Sequence, residues 1–169
     1  MRPVAAFLVA LALASIQAGV LRFAGGGALP LALALPVVVY LGLHAGNVDG
    51  AVGAAAVGYV VDLMSAGPKG LMTFLAVALF LFSRLVAAAL ALQGRIGFAL
   101  LTGVGTFCYG GVALLFLEAV SPADSAPGLL LLGRLLAEAL ATAVVSPLVY
   151  EVMRRVDGLF VREESGLLR

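Results

Sequence analysis

The amino-acid sequence predicts an all-α integral membrane protein, a bundle of about six transmembrane helices. The first observation is composition: 63% of the 169 residues are hydrophobic and 11% are charged, whereas a soluble domain is roughly half apolar and a quarter charged. The second is the length of the apolar runs, which lack the two-residue alternation of β-barrel strands. Because a helical span needs about 20 apolar residues, six spans leave too few positions for a soluble domain.

Six apolar stretches are predicted as spans of a single transmembrane domain, residues 1–153, followed by a short cytoplasmic tail, residues 154–169. The predicted spans cover residues 4–21, 28–43, 47–65, 71–92, 96–120 and 129–153. The first span has an alternative as a cleaved signal peptide, because Met1-Arg2-Pro3 resembles a short charged leader. The third span is short and rich in small residues, so it is either buried among other helices or re-entrant.

The distribution of basic residues predicts the orientation, since Lys and Arg accumulate in cytoplasmic loops. With the N-terminus inside, the basic residues are concentrated on the cytoplasmic side. The inner group is Arg2, Arg95, Arg154, Arg155, Arg162 and Arg169, and the outer group is Arg22 and Lys69. This asymmetry places both termini in the cytoplasm, where the arginines of the tail suit contact with anionic membrane lipids.

Several function classes are disfavoured by the charge and by the side chains available. A net charge of +1 provides no electrostatic footprint for nucleic acid. One cysteine, Cys108, and one histidine, His44, cannot build an internal disulfide or a zinc site. No cofactor is predicted, because the glycines at 103–111 lack the lysine of a phosphate loop. His44 and Asp49 suggest a base oriented by a carboxylate, but no nucleophile accompanies them, so we expect no enzyme.

Two stripes of small residues run along predicted helix faces at four-residue spacing. The first, in span one, comprises Ala6, Ala10, Ala14 and Ala18, and the second, in span three, comprises Gly50, Ala54 and Gly58. Small residues let helices approach closely, and close packing drives association where lipid offers no hydrophobic gain. Each stripe packs either inside this bundle or against a partner's membrane helix, and both are candidate partner-packing surfaces.

Charged residues within the spans are costly in lipid and usually have paired or functional roles. Four share the predicted outer half and suggest a buried polar network: Asp62, Glu118, Arg134 and Glu138. Two more, Arg84 and Glu151, share the inner half and are predicted to form an ion pair, unless Arg84 extends to the lipid head groups instead. We interpret both sets as structural rather than as a transport path, because they do not form a continuous polar route across the membrane.

The segment at residues 53–71 resembles the signature of the rod shape-determining protein MreD family. A glycine-rich helix there ends in Asp62-Leu63, a Ser/Gly turn follows, and Gly70-Leu71 opens the next span. Weaker similarity lies at Gln17 and at residues 36–43, 146–150 and 153–155. The length, the number of spans and the small loops also agree with that family.

The resemblance implies a non-catalytic adaptor of the bacterial cell-elongation machinery in the inner membrane, supporting rod shape and lateral peptidoglycan synthesis. Its expected partner is MreC, a bitopic membrane protein, which would link it indirectly to MreB, RodA and a class B penicillin-binding transpeptidase. The competing hypothesis is a substrate-binding subunit of an energy-coupling-factor vitamin transporter, an architecture that the bundle is expected to resemble. That function requires an outward-facing pocket with convergent polar groups.

Overall fold

The computed structural model describes residues 12, 32–65, 68–90, 94–120 and 128–166, and the regular structure among them is helical. Helix α1 spans Leu35–His44, α2 Asn47–Met64, α3 Leu71–Leu90, α4 Gly94–Val120 and α5 Gly128–Gly166. Apart from residue 12, the first predicted span lies outside the described residues. The same holds for its stripe of Ala6, Ala10, Ala14 and Ala18.

Three helical segments in the described part of the chain are long and apolar enough to cross a membrane, namely Leu71–Ala89, Gly94–Phe116 and Leu131–Val156. They indicate a membrane protein, as the composition predicts. By contrast, α1 has 10 residues, about 15 Å of helix at 1.5 Å per residue, against a hydrocarbon core about 30 Å thick. The total of six spans stays a prediction from the sequence.

Helix α1 begins later than the predicted span at residues 28–43. Residues 32–34 form a turn, in which the Leu35 amide donates to the Ala32 carbonyl at 3.0 Å. Pro36 lies in the first turn of α1, where the missing N–H of proline costs no helical hydrogen bond. The sequence predicts Pro36 inside a longer helix, whereas in the structure this proline lies at the beginning of a short one.

Helix α1 is the centre of the described bundle, because it contacts each of the other four helices. Three consecutive residues, Val37, Val38 and Val39, are 0% exposed, so α1 is buried on every side. A helix that is apolar all round is one that other helices surround. The outer pairs are α2 with α3 and α4 with α5, while the described parts of α3 and α5 do not touch.

Helix α5 is continuous through Pro147 and on through most of the predicted tail. A proline within a helix removes the hydrogen bond to the carbonyl four residues earlier, which is that of Ala143. The Ser146 hydroxyl donates to this carbonyl at 2.8 Å, and Ser146 is fully buried. The neighbouring serine therefore replaces the donor that the proline lacks, and the helix runs on.

Candidate functional site

The residues that carry the family resemblance form a hydrogen-bonded junction between α2 and α3. Asp62 lies in the last turn of α2 and is 3% exposed. Its carboxylate accepts the backbone N–H groups of Gly70 at 3.1 Å, Met72 at 3.0 Å and Thr73 at 2.9 Å, together with the Thr73 hydroxyl. The first amides of a helix have no partner within it, and the helix dipole favours an anion there. Asp62 therefore caps the start of α3 from the end of α2.

Lys69 completes the junction from the opposite direction. Its ammonium group donates to the carbonyl of Asp62 at 3.1 Å and to that of Ser65 at 3.5 Å. These carbonyls belong to the end of α2, where helical acceptors lack partners and a cation is favoured. Gly70 has a φ of +94°, a backbone conformation that glycine adopts without a Cβ penalty. Each helix end is thus capped from across the junction: Asp62 caps the start of α3, and Lys69 caps the end of α2.

The stripe of Gly50, Ala54 and Gly58 is used inside this chain, which corrects its assignment as a partner-packing surface. A Cβ on Gly50 would meet the ring of Phe80, and one on Gly58 would lie 2.6 Å from the Cα of Thr73. Ala54 is 0% exposed. The glycines are therefore what allow α2 to lie against α3, and the stripe offers no free face for another protein.

Asp62 does not join Arg134 and Glu138 in a network in the described structure, which is a second correction. Every hydrogen bond shown for the Asp62 side chain comes from residues 70–73, and α2 makes no contact with the described part of α5. Arg134 is exposed and Glu138 is half-buried. The side chain of Glu118, the fourth predicted member, lies outside the described residues.

Arg134 and Glu138 instead line a cavity of about 360 Å³ between α4 and α5. Thr106 and Tyr109 face it from α4. The Tyr109 hydroxyl donates to the Met72 sulfur at 3.1 Å, which ties the cavity wall to the start of α3. The Thr106 hydroxyl is buried and has no hydrogen-bond partner among the described residues. The two charged residues stand out in the sequence, whereas a lone threonine in an apolar run carries no signal.

The ion pair predicted between Arg84 and Glu151 does not form, which is a third correction. Arg84 donates to the carbonyl of Ala45 at 3.0 Å, next to the end of α1. Glu151 instead pairs with Arg95 at 2.9 Å and with Arg155 at 3.6 Å. The physical reason is the packing order, since α3 contacts α1 and α4 but not the described part of α5.

His44 belongs to an aromatic cluster at this same end of the bundle. Its ring stacks on Tyr40, with centroids 4.3 Å apart, and lies 5.8 Å from the ring of Tyr150. His44 Nδ1 lies 3.3 Å from the Tyr40 carbonyl. Phe98 packs against both tyrosines. The spacing of Tyr40 and His44, four residues apart on one helix, is the sequence signal for this stacking, and it places the imidazole among aromatic rings.

No family model, curated protein or solved structure matches this chain. The contacts shown at the end of α2 are the bonds from the amides of Gly70, Met72 and Thr73 to the Asp62 carboxylate.

Proposed function

We propose that this chain is a non-catalytic inner-membrane adaptor of the bacterial cell-elongation machinery, a protein of the rod shape-determining MreD type. The observation that carries the proposal is the α2–α3 junction. The residues on which the resemblance rests, Asp62, Ser65 and Gly70, lie together in it and are joined by Lys69. A sequence signature whose members act as one structural unit is more specific than matches scattered through alanine- and leucine-rich spans.

The junction supports an adaptor function because it holds two helices as a fixed pair. Capping at both helix ends and close glycine contacts along α2 restrict the movement of α2 against α3. A partner helix that docks on a rigid surface loses less conformational freedom than one that must order its target. The junction would therefore act on partner binding by holding the bundle in one shape.

We assign the partner contact to the stripe of Ala6, Ala10, Ala14 and Ala18. The other stripe already packs against α3. Four small residues at helical spacing allow the close approach that membrane helices use for association. The partner we propose is an MreC-type bitopic protein, whose single membrane helix would lie along this stripe. Links to MreB, RodA and the penicillin-binding transpeptidase would then be indirect.

The proposal is tested by co-expressing this chain with the MreC-type protein of the same genome, followed by gentle detergent extraction and native mass spectrometry. We expect a complex with the wild-type chain and a large loss of it for Ala10→Leu. Ala12→Leu is the matched control, because Ala12 is exposed and lies two residues, about 200° of helix, from Ala10. Equal association of both variants would contradict the assigned stripe, and absence of any complex with the wild-type chain would contradict the adaptor.

A second candidate function, the substrate-binding subunit of an energy-coupling-factor transporter, is favoured by the cavity between α4 and α5. Arg134, Glu138 and Thr106 supply the convergent polar groups that a ligand site requires. The same mass spectrometry separates the two functions. A vitamin-sized ligand bound to a complex that contains an ATPase would support the transporter, whereas a single-span protein partner would support the adaptor.

A further inference from the structure

The cavity between α4 and α5 has the size and lining of a small binding site. Its volume of about 360 Å³ falls within the range of roughly 300 to 1,000 Å³ typical of ligand sites. Leucine side chains form much of its wall, and four polar side chains are set among them. The polar members are Thr106, Tyr109, Arg134 and Glu138.

The first observation that points to a ligand in the cavity is the unsatisfied hydroxyl of Thr106. Thr106 is 3% exposed, and its hydroxyl finds no partner among the described residues. A threonine inside a helix ordinarily donates to the carbonyl one turn earlier, as the hydroxyls of Ser83 and Ser146 do. A buried hydroxyl without a partner is destabilising, so a ligand group that bonds to Thr106 would recover this loss.

The second observation that points to a ligand concerns the two charged residues of the cavity. Arg134 and Glu138 are one helical turn apart on α5, yet the described structure contains no ion pair between them. Glu138 is half-buried within a segment apolar enough to cross a membrane, where a carboxylate without a direct ion pair is costly. A carboxylate next to a guanidinium, both open to one cavity, complements a ligand that carries an ammonium and an anion close together.

We propose that this cavity binds a phosphoethanolamine group, supplied by the headgroup of a zwitterionic phospholipid. The ammonium donates hydrogen bonds to the Glu138 carboxylate and the Thr106 hydroxyl, and the Arg134 guanidinium donates to the phosphate. Leu135, which lies between the two charged residues on α5, then contacts the methylene groups of the ethanolamine. The inference goes beyond the proposed adaptor function and does not depend on it.

The test is native mass spectrometry of the delipidated protein titrated with phosphatidylethanolamine or with phosphatidylglycerol, which lacks the ammonium. We expect at least about tenfold tighter binding of phosphatidylethanolamine, and loss of this preference in Glu138→Gln. Glu151→Gln is the matched control, because that carboxylate pairs with Arg95 at the other end of the bundle and should keep the preference. Equal binding of both lipids, or an unchanged preference in Glu138→Gln, overturns the proposal.

A threonine pair gives an independent arm of the same experiment. Thr102 and Thr106 both have buried hydroxyls without a partner among the described residues, but only Thr106 is among the residues that line this cavity. Thr106→Val should weaken phosphatidylethanolamine binding about fivefold, and Thr102→Val should leave it unchanged. Equal effects of the two substitutions would count against the site. Binding of soluble O-phosphoethanolamine with the same variant pattern would support the site but assign it to the free compound rather than the lipid.

Discussion

At the scale of single residues, the carboxylate of Asp62 has the most hydrogen bonds of any side chain in the described structure. Three backbone amides and one hydroxyl converge on its two oxygens. Hydrogen bonds to an ionised group contribute more than neutral ones, about 1.5 to 3 kcal/mol each. They do not add fully, because water can solvate some of the amides once the carboxylate is gone.

Asp62→Ala should therefore lower the free energy of unfolding by about 2 to 3 kcal/mol. Asp62→Asn keeps one acceptor oxygen and should lose about half as much. The measurement is an SDS titration followed by circular dichroism. Asp49→Asn, an exposed acid in the first turn of α2, serves as the control and should show little change. An Asp62→Ala protein as stable as wild type would refute the capping role.

Ser146 is the second residue with a testable structural role, because it supplies the donor that Pro147 cannot. In Ser146→Ala the carbonyl of Ala143 loses the hydroxyl as its hydrogen-bond donor, at a cost of about 1 to 2 kcal/mol. Ser83→Ala is matched in burial and chemistry. The Ser83 hydroxyl donates to the carbonyl of Leu79, which the helical amide of Ser83 already serves, so its loss should cost clearly less. Equal stabilities of the two variants in the SDS titration would contradict this account.

Much of this residue-level chemistry follows from the sequence, but the pairing across helices does not. Ser83 and Ser146 donate to backbone carbonyls of their own helices, as serines inside helices commonly do. The ion pair of Arg84 with Glu151 was expected from shared depth alone, and Glu151 pairs with Arg95 instead. Depth in a membrane can be counted along a chain, whereas the order in which similar apolar helices pack around each other cannot.

At the scale of helices, the glycines of α2 set the distance to α3. A Cβ at Gly58 would lie 2.6 Å from the Cα of Thr73 and 2.9 Å from the carbonyl oxygen of Met72. Both atoms are backbone, so no side-chain rotation relieves the clash and the helices must separate. Overpacking of this kind typically costs about 1 to 3 kcal/mol.

Gly58→Ala and Gly111→Ala should consequently change stability in opposite directions. Nothing lies within 4 Å of a Cβ at Gly111, and alanine favours a helix over glycine by up to about 1 kcal/mol. Gly58→Ala should unfold at lower SDS than wild type, and Gly111→Ala at equal or higher SDS. If both substitutions stabilised the protein, the close packing of α2 on α3 would be wrong.

The short central helix shows what a hydropathy pattern does not specify. The apolar run from residue 28 predicted one span, but the described helix begins at Leu35, beside Pro36. A turn precedes it, and the Ala32 amide donates to the Thr142 hydroxyl of α5 at 3.2 Å. That bond gives the non-helical backbone a partner inside the bundle, which lipid would not provide. Apolar length alone does not distinguish a full span from a shorter buried helix.

At the scale of the whole molecule, composition was enough to predict a helical membrane protein, and three described helices meet the length and apolarity of spans. The orientation rests on the asymmetry of the basic residues. At the predicted inner end, Arg84 contacts the end of α1 and Arg95 pairs with Glu151. Lys69 lies at the predicted outer end, where both of its bonds are to the α2–α3 junction.

The topology can be tested with single cysteines in a Cys108→Ala background, labelled in whole cells with a maleimide that does not cross membranes. Residue 125 lies in the predicted outer loop between the last two spans, and residue 93 in the predicted inner turn before span five. Because cytoplasmic loops concentrate arginine, Ser125→Cys should be labelled from outside, whereas Gln93→Cys should be labelled only after permeabilisation. A cysteine added after Arg169 should behave like Gln93→Cys if both termini are cytoplasmic. Labelling of Gln93→Cys in intact cells would mean that the bundle has the opposite orientation, with Arg95, Arg154 and Arg155 outside, and would contradict the charge rule on which the predicted orientation rests.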